Sequence, residues 1–497
     1  MRGVMFQGTA SDVGKSLIAT AFCRLLVQKG FKPAPFKSQN VSNNSYVTAD
    51  GKEIGRAQGL QAEACGLEAL PVMNPILLKP SGSGQSEVVL MGERQDTISG
   101  MAYRDRYYES AIEWIGASLE QLSRIADTII IEGAGSPVEM NLKQKEVVNM
   151  KVAELADVPV ILVADIHRGG LFASVVGTLE LLEAQERERV KGIIVNKFRG
   201  DPALFKEGVQ WLEKRTGIPV LAVLPYIDHQ LEGEDSLSLA ERFSSYEKKD
   251  IDIAAIKLPY LSNYSDMEPF LAEKDTAVRW VERAEELGCP DAVVLPGTKS
   301  TFHDLRFLKT SGLAERIIQY VEQGGTIAGL CGGYQLLGRT LTDPHGYDSG
   351  TANSSAKGLG LIPGDTCFFD KKTTKRLAGR LAEQPEIYLN GYEIHIGQTK
   401  LEESSPFIRK EDGGEEGYYA RNGRVIGTYM HHLFHNDAWR SEWLNRMRRK
   451  KGLPLRQVNR LEQKQKVFDQ LAGHLERYLD WKQFLKILRM SERKTGQ

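Results

Sequence analysis

The stretch "TIAGLCGGYQLLG" (326–338) carries an apolar run into Cys331, then two glycines, then a helical pattern. A buried strand that turns at once into a helix needs small residues at the bend, because a bulky side chain there would clash. Such an elbow lifts Cys331 clear of the sheet and aims a helix N-terminus at it, which favours the thiolate. A lone cysteine at a strand end is more often a small core residue. Gly332 and Gly333 directly after it shift the reading to a nucleophile on an α/β sheet.

Two neighbouring segments support that reading. In "AVVLPGTKST" (292–301) an apolar strand ends at Pro296-Gly297, and a glycine there lets a backbone N–H approach a developing oxyanion. In "VIGTYMHHLFHND" (425–437) the β-rich run Val425 to Met430 delivers His431 and His432 near a strand end. A histidine there can take the thiol proton and return it to a leaving amine, provided the fold brings it to Cys331. A His-His pair alone more often marks a surface turn or a metal ligand, but no Cys/His cluster with zinc spacing surrounds this one. Side chains alternate along a strand, so the two imidazoles are expected to face opposite ways.

The other end of the chain carries a second motif. "GTASDVGKS" (8–16) follows the strand "GVMFQG" (3–8) and opens a helix, the context a phosphate loop requires. Backbone N–H groups along Gly8, Thr9 and Gly14, with the helix N-terminus, are expected to hold nucleotide phosphates. Lys15 would neutralise developing charge and Ser16 would ligate Mg²⁺. Five residues separate Gly8 from Gly14, one more than the common spacing. Glu132, ending "TIIIEGAG", is a second expected Mg²⁺ carboxylate, and Asp50 in "YVTADGKEIGRAQ" is either a third or a turn residue. Lys37 follows the second strand and could reach a γ-phosphate or a substrate carboxylate. Asn196 in "IIVNKFRGD" sits where an amide could read an adenine edge.

Around these motifs, short apolar strands (33–37, 127–135, 159–165, 190–198) alternate with helical periodicity (15–29, 108–122, 171–184). That pattern predicts parallel sheets covered on both faces. The expected organisation is two doubly wound α/β domains, at 1–235 and 251–440, joined by a polar linker at 236–250. A helical extension at 441–497 follows, and the basic run "WRSEWLNRMRRKKG" at its start could touch an anionic ligand but reads first as a solvated helix face. At 497 residues the chain is too long for one core. Its formal net charge of −1 gives no field for nucleic acid or an anionic membrane. Five scattered cysteines suit reduced thiols in the cytoplasm better than a disulfide framework. Met1 runs straight into a strand, so no signal peptide is expected, and no apolar run reaches a membrane span of about 18 residues.

The elbow, oxyanion loop and histidine strand, in that order, resemble the class I glutamine amidotransferases over about 251–440. That resemblance implies that Cys331 attacks a glutamine side-chain amide, that His431 is the general base and acid, and that Gly297 and Gly332 supply oxyanion N–H groups. The glutamate usual two residues after the histidine is Leu433 here, so the partner that orients His431 is left unidentified. The phosphate-loop spacing is similar to that of dethiobiotin synthetase, which uses ATP to activate a carboxylate.

Beyond single motifs, "FQGTASDVGKS", "PFKSQNVSNNS", "EIGRAQGLQAEA", "NPILLKPSG", "EGAGSPVEMNL", "DIHRGGLFAS", "LPGTKSTFHDL" and "CGGYQLLG" together resemble the cobyric acid synthase family over nearly the whole chain. The resemblance implies ATP, Mg²⁺ and glutamine-dependent amidation of the b, d, e and g carboxylates of adenosylcobyrinic acid a,c-diamide, a corrinoid of cobalamin biosynthesis. It leaves a homo-oligomer open. Three residues depart from the family pattern: His167 in "DIHRGG", Glu146 ahead of "VNM", and His432 in place of a frequent glycine. The nearest rival resemblance is cobyrinic acid a,c-diamide synthase, whose oxyanion segment usually has a double glycine where this chain has "PGTKST". Leu433 argues against CTP synthase, and the Cys331/His431 pair argues against a partition-type ATPase.

Overall fold

The computed structural model describes residues 2–81, 85–227, 248–420 and 422–491; most of the expected linker, 236–250, lies outside the described residues. Six strands form the first sheet: β1 (Arg2–Gly8), β2 (Pro33–Phe36), β3 (Thr128–Glu132), β4 (Val160–Asp165), β5 (Val190–Phe198) and β6 (Val220–Pro225). Their order is β6-β5-β4-β1-β3-β2, with every neighbouring pair parallel. Helices cover both faces, which is why "TIII" and "VILVA" are apolar without alternation. Helix α1 (Lys15–Gln28) starts directly after the β1 loop, at the centre of the sheet. A ligand held at the carboxyl ends of such strands meets that helix N-terminus.

The second sheet holds β7 (Ile251–Ile256), β8 (Thr276–Val281), β9 (Ala292–Leu295) and β10 (Ile327–Leu330). A long hairpin then intervenes, β11 (Gly364–Leu381) with β12 (Tyr388–Leu401), before β13 (Tyr418–Ala420) and β14 (Val425–Thr428) return to the sheet. The order is β8-β7-β9-β10-β14-β13, parallel except for the final pair. Helix α2 (Gly332–Leu337) leaves β10 through Cys331, as the elbow requires.

The expected extension at 441–497 does not form one unit. Helix α3 (Asp437–Lys451) completes the second domain, burying Trp439 and Trp443 against β7 and the hairpin. Its basic run is only partly a solvated face. Arg440 and Arg448 are fully buried and pair with Glu273 and Asp275, Arg440 Nε lying 3.0 Å from Glu273 and Arg448 Nη2 2.8 Å from Asp275. Two buried guanidiniums need two buried carboxylates, and sequence spacing shows only one side of that account.

Helices α4 (Arg460–Tyr478) and α5 (Trp481–Leu488) then cross back to the first domain. Phe468, Leu471, Leu475, Phe484 and Ile487 share a core with Val4, Phe6 and Phe22, and the Phe22 and Phe484 rings lie 4.7 Å apart. Each such side chain contributes about 1.5–3 kcal/mol on burial, so together they rival the roughly 5–15 kcal/mol that keeps a domain folded. A chain ending at residue 455 is therefore expected to lose the thermal transition of the first domain and keep that of the second. Differential scanning calorimetry checks it; two unchanged transitions would mean that these helices are dispensable cover.

Candidate active sites

At the elbow, Cys331 has φ 52° and ψ −108°. A non-glycine residue held there is strained, and the surroundings have to over-determine it. They do so by close approach. A Cβ on Gly333 would lie 2.0 Å from the Leu295 carbonyl oxygen, and one on Gly332 would lie 2.5 Å from Thr298 Cγ2. The elbow thus presses against β9 and the loop that follows it. A Cβ on Gly297, in that loop, would lie 3.0 Å from His431 Cε1. Cys331, Gly297, Gly332 and His431 are therefore assembled at one point.

His431 follows β14 and is fully buried, whereas His432 has φ 64° and turns away, partly exposed. The strand ends at Thr428, so it is the left-handed backbone at His432 and not strand alternation that parts the two. Nδ1 of His431 lies 2.7 Å from Asp266 Oδ2, and the other Asp266 oxygen accepts the His432 N–H at 2.7 Å. Asp266, also fully buried, is the orienting carboxylate that Leu433 left unassigned. It lies 165 residues before the histidine, on the turn Tyr264–Ala272 that follows β7. No spacing rule reaches that far; the only local signal was the polar "SNYSD" after an apolar strand. Burial disfavours a charged His431, but the Asp266 carboxylate and the Cys331 sulfur outweigh it and push the imidazole up to about 10. Cys331 also points its Sγ at the Ile394 carbonyl of the hairpin, 3.3 Å away.

Cys331 opens onto a cavity of about 1130 Å³ at the seam between the domains. Its far wall belongs to the first domain and includes Asp50, Lys79 and Glu87, while Lys299 and Lys372 line it from the second. These charges pair across the seam: Lys372 Nζ is 2.7 Å from Glu53 and 2.5 Å from Glu87, and Lys299 Nζ is 3.1 Å from Glu87; within the first domain Lys79 also contacts Glu53. Burial, with Lys372 beside it and only partly offset by Glu53, lowers Lys79 to about 8.

The phosphate loop forms a separate cluster at the end of β1. Gly14, at φ 96°, caps α1, and a Cβ there would collide with the Asn196 amide at 2.3 Å. Thr9 is tied by its N–H to the Val163 carbonyl. Lys15 Nζ donates to the Ala10 and Gly135 carbonyls at 3.1 and 3.2 Å, bending over the loop. A Cβ on Gly8 would meet that ammonium at 2.7 Å, so the loop is shaped around its lysine. Ser16 Oγ lies 2.8 Å from Glu132 Oε1, Lys37 Nζ 2.9 Å from the same oxygen, and Gln61 donates to the other at 2.6 Å. A hydroxyl beside a carboxylate is an oxygen donor set suited to a hard cation.

One expectation is corrected here. Asp50 does not join Ser16 and Glu132. It sits in the tight turn between Ser45–Val47 and Glu53–Gly55, accepts from Thr48 Oγ1, and faces the seam cavity. Asn196 donates an amide N–H to the Val13 carbonyl at 2.8 Å and so braces the phosphate loop.

The first domain matches the family model described as the CobQ/CobB/MinD/ParA nucleotide binding domain, over residues 4–236. The second matches the CobB/CobQ-like glutamine amidotransferase domain over 252–439. The chain is 50% identical to the cobyric acid synthase of Geobacillus thermodenitrificans, covering 99% of both chains. It is 50% identical to that of Geobacillus kaustophilus over 96% of this chain and 95% of the relative. With the cobyric acid synthase of Dehalococcoides mccartyi it shares 44% identity over 98% of both. Among the described residues no helix is long and apolar enough to cross a membrane.

Proposed function

The chain belongs to the cobyric acid synthase family, and from that premise we propose that it amidates the b, d, e and g carboxylates of adenosylcobyrinic acid a,c-diamide, using ATP and glutamine. The observation that carries the proposal is the Cys331–His431–Asp266 constellation opening onto a cavity walled on its far side by the nucleotide-binding domain.

Cys331 attacks the glutamine side-chain carbonyl as the thiolate, and the proton moves to His431 Nε2, opposite the nitrogen that Asp266 holds. Backbone N–H groups at Gly297 and Gly332 face the oxygen that gains charge. His431 returns the proton to the departing ammonia, and water releases glutamate. In the first domain ATP converts a corrin carboxylate into an acyl phosphate, and ammonia displaces the phosphate as the amide forms. Lys15 neutralises charge on the transferring group. Ser16 and Glu132 are the residues that would hold Mg²⁺, which when bound screens the phosphate oxygens. Ammonia kept inside the protein stays unprotonated and so remains nucleophilic.

Asp266→Asn is expected to lower glutamine-dependent turnover by about 10³–10⁴-fold, since an amide presents the wrong proton pattern to Nδ1. Turnover with ammonium salts should survive. Steady-state rates with each nitrogen source check this; equal losses would make Asp266 a folding residue. For the reaction as a whole, mass spectrometry of the product from adenosylcobyrinic acid a,c-diamide should show four carboxylates converted to amides. A substrate returned unchanged would sink the proposal. Conversion of cobyrinic acid at a and c instead would point to the diamide synthase.

A further inference from the structure

Within the segment "EIGRAQGLQAEA" (53–64), the helix Arg56–Cys65 buries two glutamines completely, Gln58 and Gln61. Neighbours fix which way each amide points. The Val41 N–H can only donate, so it meets Asn40 Oδ1 at 2.9 Å and turns Asn40 Nδ2 toward Gln58 Oε1 at 3.3 Å. The Glu132 carboxylate accepts, and it takes Gln61 Nε2 at 2.6 Å. Gln58 is left with its Nε2 donor and Gln61 with its Oε1 acceptor, neither atom having a hydrogen-bond partner among the described residues.

A buried donor and a buried acceptor left open both cost stability, and native interiors keep few of them. Residues three apart on a helix share a face, so the two open atoms belong to neighbouring side chains. Gly55 makes room for the amide pair, since a Cβ there would lie 2.5 Å from Asn40 Nδ2 and 2.9 Å from Gln58 Oε1. The helix also links the two chemistries. At its start the Arg56 N–H donates to the Asn44 carbonyl, and the adjacent Ser45 N–H donates to Asn263, whose Nδ2 is 3.3 Å from His431 Nε2. Further along, Gln61 holds Glu132, the carboxylate beside Ser16 and Lys37.

A guest between these atoms has to accept one hydrogen bond and donate another. An anion brings no proton for Gln61 Oε1, and an ammonium ion has no lone pair for Gln58 Nε2. Ammonia, neutral and with one lone pair and N–H groups to spare, meets both demands. We propose that Gln58 and Gln61 hold one molecule of neutral ammonia between Cys331 and the acyl phosphate, Gln58 Nε2 donating to its nitrogen and Gln61 Oε1 accepting one N–H. The pair excludes the protonated form, which is inert as a nucleophile, and keeps the nitrogen next to Glu132. This rests on the amidotransferase reading above, and deepens it by naming where nitrogen waits between the two reactions.

The test uses two full-length variants: Gln58→Met, which removes the donor at similar length, and Gln58→Glu, which removes it and keeps an acceptor for Asn40. With ammonium chloride, ATP and the corrin carboxylate, half-saturating ammonia should rise about 10-fold in both, the size of one lost hydrogen bond. Half-saturating ATP should not change. With glutamine, glutamate release and amide formation should match in the unaltered protein, whereas both variants should release glutamate in excess of amide. A purely structural Gln58 gives a different pattern: Gln58→Met shifts ATP and ammonia alike, and Gln58→Glu restores both. That pattern overturns the proposal, and so do unchanged ammonia half-saturation and matched products in both variants, the mark of a site that holds only water. Normal synthesis by the unaltered protein beside such variants sinks this proposal alone, while no amide from it with ammonium and ATP sinks the functional reading as well. The unaltered protein adds a check that needs no variant to fold: its rate should saturate with ammonia, and a rate proportional to ammonia throughout would overturn the proposal.

Discussion

Serine in place of Cys331 is expected to abolish glutamine-dependent synthesis, by about 10⁴-fold or more, while synthesis from ammonium salts stays close to normal. A serine hydroxyl at this elbow is a far weaker acid than a thiol and forms no ion pair with His431, so the nucleophile that attacks glutamine is lost. The strained backbone at Cys331 is held by contacts of Gly332 and Gly333 with the β9 edge, which the substitution does not touch. The fold and the phosphate-loop cluster should therefore survive. Rates with glutamine and with ammonium chloride, measured on the same preparation, check this. Equal loss of both would make Cys331 a structural residue.

Lys15→Ala is expected to remove synthesis from either nitrogen source, by about 10³-fold or more, because transition-state charge on the phosphoryl oxygens is left unbalanced. The ammonium is buried and already oriented by the Ala10 and Gly135 carbonyls, so little is spent on ordering it when phosphate arrives. Residual hydrolysis of glutamine should persist, since Lys15 belongs to the phosphate-loop cluster and not to the Cys331 elbow. Near-normal synthesis with ammonia would place nucleotide chemistry elsewhere in the protein.

Legibility in the sequence followed how local each feature was. The phosphate loop and the elbow are short runs whose glycines answer to backbone geometry within a few residues, and both stand where they were expected. Parallel strands such as "TIII" and "VILVA" announced themselves because burial on both faces leaves no room for polar residues. Asp266 was invisible because its partner is distant in sequence and its own turn carries no periodic pattern. Asp50 was misassigned for a related reason. It follows a strand near the nucleotide site in the chain, but a tight turn carries it to the domain seam. Arg440 and Arg448 looked solvated because helix periodicity does not reveal that Glu273 and Asp275 wait on the facing turn. The seam charges Lys79, Glu53, Glu87, Lys299 and Lys372 come from five separate segments, and only the folded chain gathers them.

The central claim is that one protein takes nitrogen from glutamine at Cys331 and places it on a carboxylate activated by ATP. Glutamine labelled with ¹⁵N in its amide, supplied with ATP, Mg²⁺ and adenosylcobyrinic acid a,c-diamide in a buffer containing unlabelled ammonium at low pH, tests it most directly. The account predicts a corrinoid product whose new amides carry ¹⁵N, because external ammonium is protonated and internal ammonia is not. A product bearing only unlabelled nitrogen, or no amide at all while glutamine and ATP are consumed, would contradict it.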